Sequence, residues 1–262
     1  MSKKAVFFDI DGTIFNFKCR VPEDTRIAIR KLRDNGHLAF ISTGRSLAYI
    51  SEDILDVGFD GILAGCGTYI SYHGEELLNV ELNQKEVDLA LGVFGKYHIF
   101  PIAEGRDWLY YDSGEYPEER KWGGSNDPNF KRVLKPLKGN ENNLRTNKFT
   151  IFINNEEQIK AVHELLSESY DVIQHGSLYM EILPKGYNKG TSILDICKRL
   201  NIANENTYAF GDSNNDLQMF EAAGTSVCMG NGTPDAKAAA DYISLDMEEG
   251  GVKFALEHFG LI

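Results

Sequence analysis

A doubly wound, mostly parallel α/β sheet interrupted by an inserted α+β segment is the fold class the sequence predicts, and three observations predict it. Short apolar runs alternate with helix-period segments over residues 5–80 and again after residue 186, as parallel strands joined by crossover helices require. Between about 82 and 186 the alternation gives way to mixed aromatics and charges, as in "GRDWLYYDSGEYPEERKWGGSNDPNF". Two acidic motifs, "DIDGT" and "GDSNND", each follow a strand-like run. The expected organisation is a core of residues 1–81 and 187–262 around an insertion spanning residues 82–186.

The first strand lies in "AVFFDIDGTIF". "VPEDTRIAIRKLRDNG" reads as a helix, with Pro22 at its start, Glu23 and Asp24 in its first turn, apolar Ile27, Ile29 and Leu32, and Gly36 as its stop. The strand "HLAFIS", the segment "TGR", a helix from about 46 to 56 and the strand "DGILAG" follow. In the insertion, the strand-like "KFTIFIN" and "SLYMEIL" flank a helical "EEQIKAVHELLSESY", and "LKGNENNLRTN" at 137–147 is polar enough to be expected as a mobile loop. After "PKGYNKG" come a helix at 189–201, the strand "TYAF", a helix at 214–223, the strand "TSVCMG", a short helix near 234–240, and a final strand and helix.

The 262 residues are 42% hydrophobic, ample for a buried core. A net charge of −12 and a pI near 5.0 disfavour a surface for nucleic-acid phosphates and suit a small polar substrate better. Cys19, Cys66, Cys197 and Cys228 show no CxxC spacing, and the six histidines show no ligand spacing, so neither a zinc site nor a disulfide framework is expected. No apolar run approaches the roughly 18 residues of a membrane span. The start "MSKKAVFFDIDG" meets charge too early for a signal peptide. A reducing cytoplasm is the expected setting.

Asp9 and Asp11 stand two residues apart at the end of an apolar strand. Two such carboxylates repel by about 4 kcal/mol at roughly 4 Å and an effective dielectric near 20. In a doubly wound sheet ligands gather beyond the carboxyl ends of the strands. That rim would also carry "STGR" (42–45), Lys189, Asp212 and Asp216. Oxygen-rich acidic clusters suit Mg²⁺, which takes carboxylates, waters and substrate phosphate. Taken singly, Asp before Gly is turn chemistry and "GDSNND" a helix cap. The conjunction at one end of successive strands points instead to a site.

"DIDGT", "STGR", "PKGYNKG" and "GDSNND" resemble the four motifs of the haloacid dehalogenase superfamily, and specifically its Cof-type (class IIB) sugar-phosphate phosphatases, whose large cap is inserted between the second and third motifs. The resemblance implies a Rossmann-like core and a phosphoric monoester hydrolase acting on small phosphorylated metabolites, with sugar phosphates the expected class. It implies Asp9 as nucleophile and Asp11 as general acid and then base. It further implies Mg²⁺ held by Asp9, the Asp11 carbonyl and Asp212, and phosphoryl oxygens bound by the Ile10 backbone, Thr43, the Gly44 amide, Lys189 and Asn215. Asp216 would support metal waters or orient Lys189. One departure is "CGT" at 66–68, where the family commonly has an "NGA"-like turn. Cys66 reads as a small packed residue, and Arg45 as a helix cap and pairing group more than an anion ligand. Trp108, Tyr110, Tyr111, Trp122 and Arg106 are candidates for a sugar-binding face, though "DWLYY" equally describes a half-buried strand. The segments at 80–84 and 184–188 are the expected hinges of the cap, and "GGSNDP" at 123–128 a hinge or contact loop. Other readings of the same residues are a phosphotransferase or mutase, a receiver-like signalling module, and a non-catalytic metabolite binder.

Overall fold

The computed structural model describes residues 2–16, 18–112, 131–175 and 179–262. They fall into two compact units, one of Met1–Gly44, Glu52–Leu78 and Asn188–Ile262, the other of Arg45–Ser51 and Asn79–Tyr187. The chain opens with β1 (Ala5–Phe8), α1 (Glu23–Asp34), β2 (Leu38–Ser42), α2 (Glu52–Leu55), β3 (Gly61–Ala64), β4 (Tyr69–Tyr72) and β5 (Glu75–Asn79). The inserted stretch holds α3 (Gln84–Lys96), β6 (Phe100–Glu104), β7 (Leu109–Tyr110), β8 (Leu134–Lys135), β9 (Lys148–Phe152), α4 (Glu156–Leu166), β10 (Tyr170–His175) and β11 (Tyr179–Pro184). The chain returns with α5 (Lys189–Leu200), β12 (Thr207–Gly211), α6 (Leu217–Ala222), β13 (Thr225–Cys228), α7 (Pro234–Ala239), β14 (Tyr242–Ile243) and α8 (Gly251–His258).

In the first unit the strand order is β14-β13-β12-β1-β2-β3-β4-β5. β1 pairs in parallel with β2 on one side and β12 on the other, Phe8 standing opposite both Ile41 and Phe210. The chain leaves β1 toward β2 and β3 and comes back on the far side as β12 and β13, so the topological switch point lies at the carboxyl end of β1. Every residue of β1 is buried, as expected of a strand covered on both faces. Ala5, Phe7, Phe40, Ile193, Ile196, Met219 and Phe220 share one core cluster, which binds the sheet to α5 and α6.

Several local expectations are corrected. Ile27 does not join the apolar stripe of α1 but stands 54% exposed, while Ala28, Ile29 and Leu32 face inward. The helix expected at 46–56 is a 3-10 turn, Leu47–Tyr49, separated from α2 by Ile50 in an extended conformation. Its first part, Arg45–Ser51, clusters with the inserted unit. "YISYHGEELLN" forms two strands that sequence reasoning missed, joined through His73 (φ 48°) and Gly74 (φ 81°). Two successive positive φ values are the mark of a tight hairpin turn. The 214–223 helix begins as a 3-10 turn, Asn214–Asp216, and the helix expected through Tyr170 stops at Leu166 so that Tyr170 opens β10. Residues 137–147 hold a 3-10 turn, Glu141–Asn143, followed by buried Leu144, Thr146 and Asn147. The Asn147 amide donates to Asn79 Oδ1 and the Val80 carbonyl, each at 2.8 Å, which ties this polar stretch down.

The second unit has the strand order β10-β11-β9-β6-β7-β8. Phe149, Ile151, Met180 and Ile182 pack with Phe94 of α3 and Val162 of α4 on one face. Period-two alternation sends Lys148, Thr150 and Glu181 to the other face. There Lys148 pairs with Glu181, lies 3.6 Å from Glu104, and Glu181 also meets His175 Nε2 at 3.1 Å. Burial alone raises the Glu181 carboxyl, but Lys148 and His175 outweigh it and hold the carboxyl at about 2. A depressed carboxyl stabilises the fold above its unfolded pKa of about 4.3, and that stability is lost as the pH falls toward the folded value. Glu181 should therefore contribute on the order of 3 kcal/mol at neutral pH, lost between about pH 5 and pH 2. Denaturant titrations of the native chain and Glu181→Gln should converge over that window; curves that stay parallel to pH 2 would refute it. No helix among the described residues is long and apolar enough to cross a membrane.

Candidate active site

Asp9 continues the sheet beyond β1, its N–H donating to the Phe210 carbonyl at 2.9 Å, and its side chain is buried. The chain then coils tightly. The N–H groups of Thr13, Ile14 and Phe15 all point at the Ile10 carbonyl (3.2, 3.0 and 2.8 Å), and that of Gly12 at the Phe15 carbonyl (3.1 Å). This turn leaves Asp11 exposed directly after the buried Asp9 and Ile10. Gly12 is required twice over: its φ is +81°, and a Cβ there would lie 2.4 Å from Asp212 Oδ2.

Lys189 is the first residue of α5, whose start is fixed by a capping box between Asn188 and Thr191. Its ammonium is buried and sits 2.6 Å from Asp9 Oδ1, 2.6 Å from Asp216 Oδ1 and 3.3 Å from Asn215 Oδ1. Asp216 is fully buried. Its second oxygen accepts the N–H groups of Asp212 (2.9 Å) and Ser213 (3.0 Å), so both oxygens are engaged. A Cβ on Gly211 would lie 2.5 Å from Asp216 Cγ, which explains the glycine ending β12. Ser213 Oγ donates to Asn215 Oδ1 at 2.9 Å, and Thr13 Oγ1 to Asp212 Oδ1 at 3.4 Å.

Charge is unevenly balanced here. Burial raises the Asp9 carboxyl well above its ordinary value; Lys189 opposes that shift, and Asp216, Asp11 and Asp212 add to it. Burial, with Asp216 adding to it, pushes the Asp212 carboxyl up to about 7. Lys189 moves the other way from what burial alone would do, because Asp216 and Asp9 hold its proton. Carboxylate oxygens of Asp9, Asp212 and Asp216 lie within 4.8 Å of one another. A cluster of hard oxygen donors short of positive charge fits a divalent cation such as Mg²⁺. With Asp216 committed to Lys189 and two backbone N–H groups, Asp9 and Asp212 are the carboxylates left to hold one.

Of the residues singled out in the sequence, Asp9, Lys189, Asp212, Asn215 and Asp216 are thus brought together. Ile10 and Thr43 each lie two residues beyond Phe8↔Ile41, the last pair of the β1–β2 ladder, on adjacent strands. Thr43 is buried, its N–H donates to the Leu63 carbonyl (2.9 Å), and its carbonyl accepts from Cys66 (3.0 Å). Cys66 is buried and left-handed (φ 53°), flanked by left-handed Gly65 (φ 57°) and Gly67 (φ 87°). Asparagine tolerates that conformation better than most residues, so the departure from "NGA" touches the turn's backbone preference. Arg45 Nη1 donates to the Tyr49 carbonyl at 3.3 Å, with its guanidinium 4.8 Å above the Tyr49 ring.

Among the insertion's candidates, Tyr110 belongs to the main core cluster and Tyr111 to a smaller one, Trp108 lies under the Lys135 ammonium (3.5 Å), and Arg106 pairs with Asp107 (2.9 Å). Trp122 and the 123–128 loop lie outside the described residues. Sequence reasoning missed Ser213, which shares the acidic motif, and Asn231, whose amide reaches the Gly12 carbonyl at 2.7 Å. The only local hint of the latter was the Gly-Asn-Gly of "MGNGT" after β13.

This chain resembles known proteins along its whole length. YkrA of Bacillus subtilis (strain 168) is 29% identical over 264 residues, the alignment covering 100% of both chains. The 5-amino-6-(5-phospho-D-ribitylamino)uracil phosphatase YitU of the same organism is 29% identical over 275 residues, covering 98% of this chain and 97% of its own. The structure of the HAD subclass IIB sugar phosphatase BT4131 superposes with a TM-score of 0.83 at 28% identity, over 99% of this chain and 100% of that one. Residues 6–256 match the haloacid dehalogenase-like hydrolases, and the chain belongs to that family.

Proposed function

We propose that this protein is a Mg²⁺-dependent phosphatase that hydrolyses small phosphorylated metabolites, sugar phosphates first among them, through an aspartyl-phosphate on Asp9. The observation that carries the reading is the buried Lys189 ammonium, 2.6 Å from both Asp9 and Asp216 at the switch point of the sheet. It orients one carboxylate as a nucleophile and leaves a cation where phosphoryl oxygens would arrive. Asp9 attacks phosphorus as the ester oxygen leaves, and Asp11 gives that oxygen its proton. Asp11 then takes a proton from the water that attacks the aspartyl-phosphate, which frees Asp9 and inorganic phosphate. The backbone at Ile10 and Gly44, the Thr43 hydroxyl, Lys189 and Asn215 bind the phosphoryl oxygens, whose charge spreads over three atoms in the transition state. Asp9, the Asp11 carbonyl and Asp212 would hold the Mg²⁺, which when bound would supply further neutralisation of that charge.

Relatives named as phosphatases of a phosphorylated ribitylaminouracil and of phosphoglycolate, and the sugar phosphatase BT4131, support a small phosphate monoester as substrate. The inserted segment, residues 82–186, is the part that selects among such esters, as a cap. The four free cysteines suit a reducing cytoplasm. Phosphate release from a panel of sugar phosphates and an aryl phosphate, with Mg²⁺ or EDTA, tests the reading. Metal-dependent release supports it. Release indifferent to EDTA, no release, or delivery of the phosphoryl group to an added sugar instead of water overturns it.

A further inference from the structure

Asn231 lies 219 residues from Gly12 in sequence, yet its side chain grips the Asp11–Gly12 turn. Its Nδ2 donates to the Gly12 carbonyl at 2.7 Å, and its Oδ1 accepts the Met247 N–H at 3.0 Å. Only one orientation of the amide satisfies both bonds. Asn231 is exposed, so solvent would satisfy either end of its amide if it were released.

The surrounding loop is itself anchored. Gly230 N–H donates to the Leu245 carbonyl (2.9 Å), Gly232 N–H to the Met229 carbonyl (2.8 Å), and Thr233 N–H to the Asp212 carbonyl (2.8 Å). Close approach is built in, because a Cβ on Gly232 would lie 2.5 Å from Cys228 Sγ and 2.9 Å from the Asp212 carbonyl oxygen, and one on Gly230 would lie 2.5 Å from the Asp246 N. One segment after β13 therefore braces Asp212 through its backbone and the turn carrying Asp11 through a side chain. Asp11 is exposed, and the turn that carries it is closed by its own backbone hydrogen bonds to the Ile10 and Phe15 carbonyls; the Asn231 bond adds a link from that turn to the loop after β13 and so fixes the direction in which the turn presents Asp11. Proton transfer is sensitive to placement at the ångström level.

We propose that Asn231 is a positioning residue for proton transfer by Asp11, acting through the Gly12 carbonyl; this rests on the reading of Asp11 as general acid and base. Two variants separate the parts of the contact. Asn231→Asp keeps the shape and the acceptor for Met247 but replaces the donor to Gly12 with an anion, and Asn231→Ala removes both.

The readout is leaving-group dependence. An aryl phosphate such as 4-nitrophenyl phosphate expels its phenolate without help from an acid, whereas a sugar or glycerol phosphate must have its alkoxide protonated. Hydrolysis of the aspartyl-phosphate needs the base in both cases. In rapid mixing with the aryl phosphate, Asn231→Asp should show a phenolate burst at near the native rate followed by turnover slowed roughly 10- to 100-fold. On glycerol phosphate, kcat should fall at least as far with KM nearly unchanged, and Asn231→Ala should behave alike. Thermal unfolding midpoints serve as the check on folding.

Asp11→Asn, run beside them, should give the same pattern in stronger form. If Asp11→Asn shows it and the Asn231 variants match the native chain on both substrates, or lose burst and turnover in equal proportion, the positioning role is refuted. If Asp11→Asn itself turns over glycerol phosphate normally, the underlying reading of Asp11 fails, and the inference fails with it.

Discussion

Asp9→Asn should fold normally, keep or slightly raise its thermal midpoint, and release phosphate roughly a thousand-fold more slowly than the native chain or not at all. The loss follows from the proposed role of Asp9 as nucleophile, which other groups could not replace, an effect commonly of three orders of magnitude or more. The unchanged stability follows from the charge distribution. Asp9 is a buried carboxylate raised by its burial and by three neighbouring carboxylates. An amide of the same shape relieves that repulsion while its oxygen still accepts from Lys189. Lys189 also keeps Asp216 at 2.6 Å and Asn215 at 3.3 Å. Circular dichroism on heating and a phosphate assay on the same preparation check both halves. A variant that retains a tenth of the activity would remove Asp9 from the nucleophile's role, and one that unfolds well below the native midpoint would show that the Lys189–Asp9 bond carries more of the fold than the charge argument allows.

Lys189→Met should fail in both respects. Removing one partner of a buried ion pair leaves the other charge uncompensated, typically at 3–5 kcal/mol. Here two carboxylates, Asp9 and Asp216, lose the ammonium together. Arginine is no remedy, because its planar fork is larger than the compact ammonium held between the strand-end carboxylate of Asp9 and the helix-start carboxylate of Asp216. Activity should fall by at least about 10²- to 10³-fold, the usual effect of deleting one transition-state charge partner. The double variant Lys189→Met/Asp9→Asn should regain part of the lost stability while remaining inactive, since one of the two orphaned charges is gone. Denaturant midpoints of the four proteins form the double-mutant cycle. Strictly additive stabilities would mean that Lys189 and Asp9 do not interact as their 2.6 Å separation indicates.

The parts of this fold legible in the sequence are those whose causes are local. β1 and β2 are buried throughout and β12 at every residue but Tyr208, so they show as mostly apolar runs, and their ends are marked by Asp9, Thr43 and Asp212. Once the strands were known to be parallel, their carboxyl ends had to share a rim, which brought Lys189 and Asp216 with them. The hairpin of β4 and β5 was hidden because its turn places His73, a residue without strong turn preference, in the left-handed region beside Gly74. Ile27 misled because hydrophobicity was counted without its angle around the helix: Ile29 and Leu32 share a face, and Ile27 lies away from it. The polar run at 137–147 owes its order to Asn147 and its partners at Asn79 and Val80, contacts no local pattern announces. Asn231 was out of reach for the same reason.

The chain passes between its two compact units not twice but four times, at 44/45, 51/52, 78/79 and 187/188. The short extra excursion is built into the inserted unit: Ser46 N–H donates to the buried Glu104 carboxylate at 3.4 Å, and Ala48 N–H to the Gly105 carbonyl at 3.4 Å. The piece that evolution or an engineer could exchange as a whole is therefore discontinuous in sequence. An inserted unit grafted from residues 79–187 alone would arrive without the backbone that completes Glu104, and a recipient's own loop after its "STGR" would have to supply it. Co-variation across a family of such chimaeras should couple the residues after Gly44 to the end of β6, stretches more than fifty positions apart, more tightly than to their own neighbours in the core.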